Sequence, residues 1–528
     1  MSDKTETTDG AAKKTGKSLI RNNNLDNQRN TSSLLFQKIG LSPVPYVILG
    51  LLLAVATGLS VNFTSTYPPI LIIGVAIGLI LVVSVFQRPE LGGYILLFSV
   101  FTNLSDLFTE KGLPSINKPL VAIVVLSVFA NYILKTGKIR ALPKITKIEF
   151  LLVVYLLSVL SSSFIAINQS KALTALFDLL KDVTVGYCIY LTLNTKEKVE
   201  TGLNILIAAV TFVSILGVIH TITGTSNDFW GFAQNSAFGQ ISDSDGQLRY
   251  AGPLGESNIW GQVLVSCIPI VFYKIVYAQG LLKKAAPAMS GLLIVLAMLF
   301  TESRGAFLAL VFIIILIAID LRIRSTTLVT LTMIVLLMLA VLPKKYSERI
   351  LSLDVLFQNQ EYGLAQDESF NGRQAKMLIG LAMFAKNPFL GVRFTNYTEN
   401  YWEYAGSLGI DSSVLAVGTE AEGEEQQPHS LYVEIMAETG IFGIASFVGF
   451  LGAIFLGLQQ TRKKAIASKT KDRYWFMMTS AIMMSIITYL FAGFFLHGIG
   501  FRFIWALIGT SLAFVYQDQN QNKFTVPV

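Results

Sequence analysis

Residues 310–320 read LVFIIILIAID, an apolar run broken only by its last residue. Strands of a membrane barrel alternate apolar and polar side chains over about ten residues, so an unbroken run of this kind belongs to a helix in lipid. Similar stretches recur along the whole chain. Of 528 residues, 52% are hydrophobic and only 14% charged, whereas soluble domains carry roughly a quarter charged residues. This composition excludes a soluble enzyme, a disordered chain and a single-anchor receptor. The expected fold is an all-α polytopic membrane protein.

Hydropathy places helices at roughly 45–61, 68–86, 92–104, 120–134, 149–167, 174–193, 202–220, 254–278, 286–301, 304–320, 325–342, 429–457, 475–495 and 499–516, or about fourteen spans. Residues 1–44 are polar, lack a signal-peptide core and read as a disordered cytoplasmic tail. The expected division is helices 1–11 over 45–342, a large external (periplasmic) loop domain over 343–428, helices 12–14 over 429–516 and a second cytoplasmic tail over 517–528. Alternate connections carry 26 Lys and Arg on one side and 12 on the other. By the positive-inside rule the richer side is cytoplasmic, so both termini face the cytoplasm. The net charge of +7 then reflects topology, and nucleic acid is not an expected partner. Cys188 and Cys267 lie in apolar runs and read as small core residues, with neither a disulfide nor a metal implied.

Two connections are long, 221–253 and 343–428, and both fall on the outer side. Long loops in compact proteins usually carry function. Within the second, residues 372–386 (GRQAKMLIGLAMFAK) have the periodicity of an amphipathic helix. The polar chemistry gathers at the same side. His429 stands where the large loop returns to the membrane, with Pro428 before it; His220 and His497 also lie at outer helix ends, so position alone does not single it out. Arg304 sits in LFTESRGAFLAL (299–310), an outer turn between two apolar helices, where a cation is costly unless it is paired or functional. Arg373 opens the loop helix, and Arg249 lies in LRYAGPLGESNIWGQVL (248–264). Each of these is equally readable as an anchor or a solvated charge.

Taken in order, TESRGAFLAL, NGRQAKMLIGLAMFAKNPFLGVRFTNY and PHSLYVEIMAETGIFG resemble the successive motifs of the O-antigen ligase and Wzy-type polysaccharide polymerase superfamily. The resemblance covers about 245–515. At Arg393 the chain departs from it, since the family more often has a second glycine after GV. The resemblance implies a GT-C-like membrane glycosyltransferase in the inner membrane. Its donor is a glycan on an undecaprenyl-diphosphate-type carrier. Its acceptor is lipid A core or a growing polysaccharide, so ligase and polymerase both remain open. It further implies inversion at the anomeric carbon.

The residue types suit that chemistry. Guanidinium forks meet phosphate oxygens bidentately, which makes Arg304, Arg373 and Arg249 the candidates for the substrate diphosphate. An imidazole titrating near neutrality suits removal of the acceptor's proton, and His429 is the candidate base. No partner for it is assigned to Glu434 or Glu438. With arginines available no cofactor and no metal is expected, although Asp243-Ser244-Asp245 has a DxD shape. The alternative is a polysaccharide or lipid-linked sugar transporter or flippase, for which Asp178, Lys181 and Asp182 form the one obvious mid-span cluster; that cluster reads as a buried ion pair.

Overall fold

The computed structural model describes residues 69–136, 146–236, 249–322, 333, 368–410, 426–467, 472–496 and 502–517. The expected spans at 45–61 and, apart from Met333, 325–342 lie outside these residues, as do Asp243, Asp245 and His497. The chain divides into two units, one ending at Gln87 and one beginning at Arg88. The first contributes α1 (Pro69–Gln87).

Among its described residues the second unit is helical apart from one two-stranded ribbon. Its first elements are α2 (Pro89–Phe101), α3 (Leu104–Glu110), α4 (Asn117–Thr136), α5 (Lys147–Phe164), α6 (Gln169–Thr192) and α7 (Lys196–Thr223). The ribbon pairs β1 (Gln234–Asn235) antiparallel with β2 (Tyr250–Gly252). Then follow α8 (Ser257–Tyr277), α9 (Leu281–Phe300), α10 (Arg304–Asp320), α11 (Glu368–Lys386), α12 (Tyr397–Ser407), α13 (Leu431–Ala467), α14 (Arg473–Ala492) and α15 (Arg502–Val515). Helix α8 is the centre of the packing, with Trp260, Val263, Leu264, Cys267, Ile270 and Tyr273 at or near zero exposure; it packs most extensively on α14 and α9.

Among the described residues six helices are long and apolar enough to cross a membrane: α5, α7, α8, α9, α13 and α14. The bent pair α2 and α3 makes a seventh if it is one span. The forecast of fourteen is larger. Helix α10 has 17 residues and α15 has 14, while α6 has Asp178, Lys181 and Asp182 in its middle. The single helix expected at 92–104 is broken. Asn103 takes a left-handed φ of 52°, and the chain turns by 63° between α2 and α3.

Helix α9 opens with Leu281 and Leu282, 88% and 92% exposed, followed by exposed Lys283 and Lys284. Apolar residues presented outward in this way belong to a lipid-facing helix.

Helix α13 is interrupted at Gly440, whose φ and ψ are 65° and −160°. The break receives the NPFLGV segment that follows α11. The Val392 N–H donates to the Ala437 carbonyl at 2.7 Å, and the Ile441 N–H donates to the Pro388 carbonyl at 2.7 Å. Both contacts need glycine. A Cβ on Gly391 would stand 2.2 Å from the Ala437 oxygen, and one on Gly440 2.2 Å from the Phe389 oxygen. Earlier along the same pair, Gly380 of α11 fits against Val433 and Ala437. Helix α11 and the first part of α13 therefore run side by side in one direction. Around this seam Ile379, Met383, Tyr397, Tyr401 and Ala437 form a core of their own.

Gly440→Ala should abolish recovery of folded protein, because it combines a left-handed backbone with a clash against main chain. Gly452→Ala, on the same helix with nothing within 4 Å, should leave the thermal midpoint unchanged or raise stability by up to about 1 kcal/mol. Thermal unfolding of the purified protein in detergent checks both.

Candidate functional site

The TESRG sequence forms the tight turn from α9 to α10. Glu302 has a left-handed φ of 51°. The Ser303 side chain accepts the Ala306 N–H and caps α10, so Arg304 is the first residue of that helix. A helix start carries partial positive charge and unpaired N–H groups. A guanidinium placed there adds a full charge to a site already suited to anions.

Arg249, just before β2, is drawn to the same turn. Its Nε and Nη2 donate to the Thr301 carbonyl at 3.1 and 2.8 Å, and Nη2 also donates to Asn258 Oδ1 at 3.1 Å. Asn258 is itself held by Glu256, whose carboxylate accepts the Asn258 and Ile259 N–H groups and caps α8. The turn is seated closely, because a Cβ on Gly261 would meet Thr301, Ser303 and Ala306 at 2.9 to 3.1 Å. Gly305 also lies against Phe495, where a Cβ on Gly305 would stand 3.1 Å from Phe495 Cβ.

Phe495 belongs to the turn after α14, and that turn also receives the start of α13. The Leu431 N–H donates to the carbonyls of Gly493 and Leu496 at 2.9 and 2.7 Å. The 493–496 turn is thus shared, with Gly305 against it on one side and the start of α13 bonded to it on the other. His429, two residues before Leu431, is half-buried with a left-handed φ of 48°. Arg373 is also half-buried. It precedes Gly380 by seven residues, about 10 Å of helix. Since Gly380 lies between Val433 and Ala437 in a parallel pair, Arg373 stands at about the level of His429 along the two axes.

Residues 289–448 match the family model described as O-Antigen ligase. The match covers 160 of the 528 residues, and over that stretch the chain is similar to the O-antigen ligase family. Residues 115–278 match a family of unknown function (DUF5935). No curated protein matches the chain. The O-antigen ligase match includes Arg304, Arg373 and His429, whereas Arg249 falls in the second stretch. The ligase match is narrower than the 245–515 expected from the motifs. It fits a multi-pass inner-membrane protein with glycosyl transfer of the ligase or polymerase type.

Arg393, within the matched stretch, is the residue at which the motifs depart from the expected glycine. Its φ is 89°, so the backbone keeps a glycine-like path, and its Nη1 donates to the Gly391 carbonyl. His220 is occupied structurally. Its Nδ1 donates to the Asn227 carbonyl at 3.0 Å, and Nε2 lies 3.2 Å from the Asn235 side-chain amide. Glu438, left unassigned by spacing, accepts the Tyr397 N–H at 3.3 Å. Its carbonyl accepts Ser162 Oγ at 3.0 Å, and that oxygen accepts the Phe394 N–H. The carboxylate therefore fastens α12 to α13, while the Glu438 main-chain carbonyl, through Ser162, ties α13 to α5.

Lys376 is a residue that sequence reasoning passed over. It lies one turn after Arg373 and is only 8% exposed; its carbonyl accepts the Tyr397 hydroxyl at 2.6 Å. Burial holds that hydroxyl well above the ordinary phenol range, with Tyr401 and Glu438 adding to the shift, so it stays a donor. The expected buried pair in α6 is corrected. Lys181 bonds Asp178, but Asp178 is exposed, and only Asp182 is buried.

His220→Ala should lower stability by about 1–3 kcal/mol, the cost of stranding buried polar partners. Thermal unfolding checks it, and an unchanged midpoint would contradict the bracing role.

Proposed function

We propose that this chain transfers a glycan from a polyprenyl diphosphate to a sugar acceptor at the outer face of the inner membrane. The observation that supports this is the shared 493–496 turn, against which Gly305, next to Arg304, and the His429 end of α13 both pack. Arg373 stands at the His429 level. On this reading Arg304 and Arg373 hold the donor diphosphate. Arg249 adds its charge beside the same turn while fixing the Thr301 carbonyl. The acceptor hydroxyl attacks the anomeric carbon as the bond to the diphosphate oxygen breaks. The diphosphate leaves with the electron pair, His429 takes the hydroxyl proton, and the anomeric centre inverts. Growing charge on the leaving group strengthens its arginine contacts, which assists the transition state as well as binding. No metal is needed on this reading.

The same reading places residues 343–428 in the periplasm and both termini in the cytoplasm. Cysteine at Ser407, exposed in α12, should react with an impermeant thiol reagent in spheroplasts, and cysteine at Lys463 should not. The reverse pattern would overturn the sidedness.

Transfer is measured with purified polyprenyl-diphosphate glycan and acceptor in the presence of chelator. His429→Ala should lose about 10²- to 10⁴-fold in rate with donor binding retained. Arg304→Lys and Arg373→Lys keep charge but lose the planar fork. Each should cost about 1.5–3 kcal/mol, roughly ten- to over a hundredfold. Arg322→Lys should cost nothing. Full activity of both outer-face Lys variants would make these arginines membrane anchors, and loss of wild-type activity in chelator would point to a cation.

A further inference from the structure

The start of α9 leans away from its neighbours. Of the 20 residues of that helix the first buried one is Ile294, and residues 281–286 are all exposed. The helix fits closely against α8 further along, at Gly291, where a Cβ would stand 3.2 Å from Val271. Before that point the space between α9, the end of α8 and the starts of α7 and α14 is a cavity of about 620 Å³. It is within the size range of small-ligand pockets, about 300–1,000 Å³. Small side chains make the room: Ala208 on α7, and Ala286, Pro287 and Ser290 on α9.

The polar groups of the lining are accessible. Glu200, Asn204 and Lys283 are exposed, and Lys274 is half-buried. Glu200 and Asn204 stand one turn apart on α7. Lys274 Nζ donates to Asn204 Oδ1, which bridges α8 and α7. An ammonium has three donors, so this bond orients the group and leaves it capacity for an anion. Tyr277 and Tyr474 complete the wall, edge-on with ring centroids 5.0 Å apart. Tyrosines collect at the membrane–water boundary, where one end of the ring is apolar and the other wet.

Position and charge together identify the class of ligand. Lys283 and Phe300 are separated by 17 residues of helix, about 26 Å. The cavity is therefore at the opposite end of α9 from the TESRG turn and takes no part in chemistry there. On the proposed sidedness it faces the inner leaflet. Its lining carries two lysines and one carboxylate, a net positive charge. The same turns of α9 present Leu281, Leu282 and Met289 outward. An anion that also carries apolar chains matches both features. Its phosphodiester meets Lys274 and Lys283, and its acyl chains run along the apolar outer face of α9. Glu200 sets the headgroup, since it accepts a hydroxyl and repels a bare, doubly charged phosphate.

We propose that this cavity binds the hydroxyl-bearing headgroup of an anionic phospholipid, of the phosphatidylglycerol type, from the leaflet opposite the arginine turn. Basic pockets between spanning helices at the cytoplasmic side are suited to such headgroups. The bound lipid bridges α9 to α7 and α8, so it stabilises the folded chain by mass action. The proposal uses the membrane placement of these helices and is independent of the glycan-transfer reading.

The test follows the thermal midpoint of the full chain, purified in an uncharged detergent, as short-chain lipids are added. Dioctanoyl phosphatidylglycerol should raise the midpoint by several degrees, whereas dioctanoyl phosphatidylcholine and inorganic phosphate should not. Lys274→Gln, which keeps a donor for Asn204, and Lys283→Gln should each raise the lipid concentration for half the shift about fivefold. Together they should raise it about twentyfold or more. Ala286→Trp, at an exposed position, fills the cavity and should remove the shift with both lysines in place. Lys463→Gln, exposed on α13, should respond as the wild type does, which separates a built site from general surface charge. The proposal is overturned by a wild type that ignores phosphatidylglycerol, by an equal response to phosphatidylcholine, or by a response to phosphate alone. It is equally overturned if the double lysine variant and Ala286→Trp respond like the wild type, or if Lys463→Gln loses as much as the cavity lysines do. Transfer activity does not enter the readout, so the failure of either reading leaves the other standing.

Discussion

Two main-chain hydrogen bonds, from Val392 to Ala437 and from Ile441 to Pro388, hold the segment that follows α11 to α13. Neither forms unless the chains approach within a distance that no Cβ tolerates, so the glycines at 391 and 440 are conditions of the seam. The seam sets how far α11 slides along α13, and so where Arg373 stands relative to His429. Glu438, buried beside it, ties the same junction to α12 and α5. A slip of one turn would displace the guanidinium by about 5 Å, more than a hydrogen bond can span.

The arginines around the TESRG turn illustrate a division of labour. Arg249 uses its fork on a carbonyl and an amide within the protein, while Arg304 begins a helix capped by its neighbour Ser303. On the proposed reading these fixed dipoles and charges are assembled before the donor diphosphate binds, so little reorganisation is required.

Much of this was legible in the chain. The helix beginning at Arg304 starts where the apolar run predicts, and the amphipathic helix expected from 372 is observed as Glu368–Lys386. Periodicity did not show the bend at Thr102–Asn103, because a break there depends on backbone conformation. Helix α12 was not among the expected helices, although Tyr397, Tyr401 and Tyr404 recur at helical spacing. The site was legible in residue type and less so in role. Arg and His could be nominated from chemistry, but the partners of Glu438 and Arg249 lie 41 and 52 positions away. The acidic and basic residues of α6 were visible as a cluster. Their place beside α15 depends on a helix crossing that no local pattern encodes.

The opening of α9 has a further effect. Leu281 and Leu282 face outward almost completely, and two lysines follow directly. Leucines of this kind settle into hydrocarbon while ammonium groups stay with lipid phosphates. The pair of pairs therefore acts as a depth gauge on one rim of the helix bundle. With that rim pinned, the TESRG turn at the other end of α9 is carried about 30 Å away by a helix of 20 residues, close to the thickness of the hydrocarbon layer. On the proposed reading bilayer thickness then becomes a variable of the chemistry, because a thicker or thinner membrane would raise or lower the arginine turn relative to the headgroups of the lipid-borne donor.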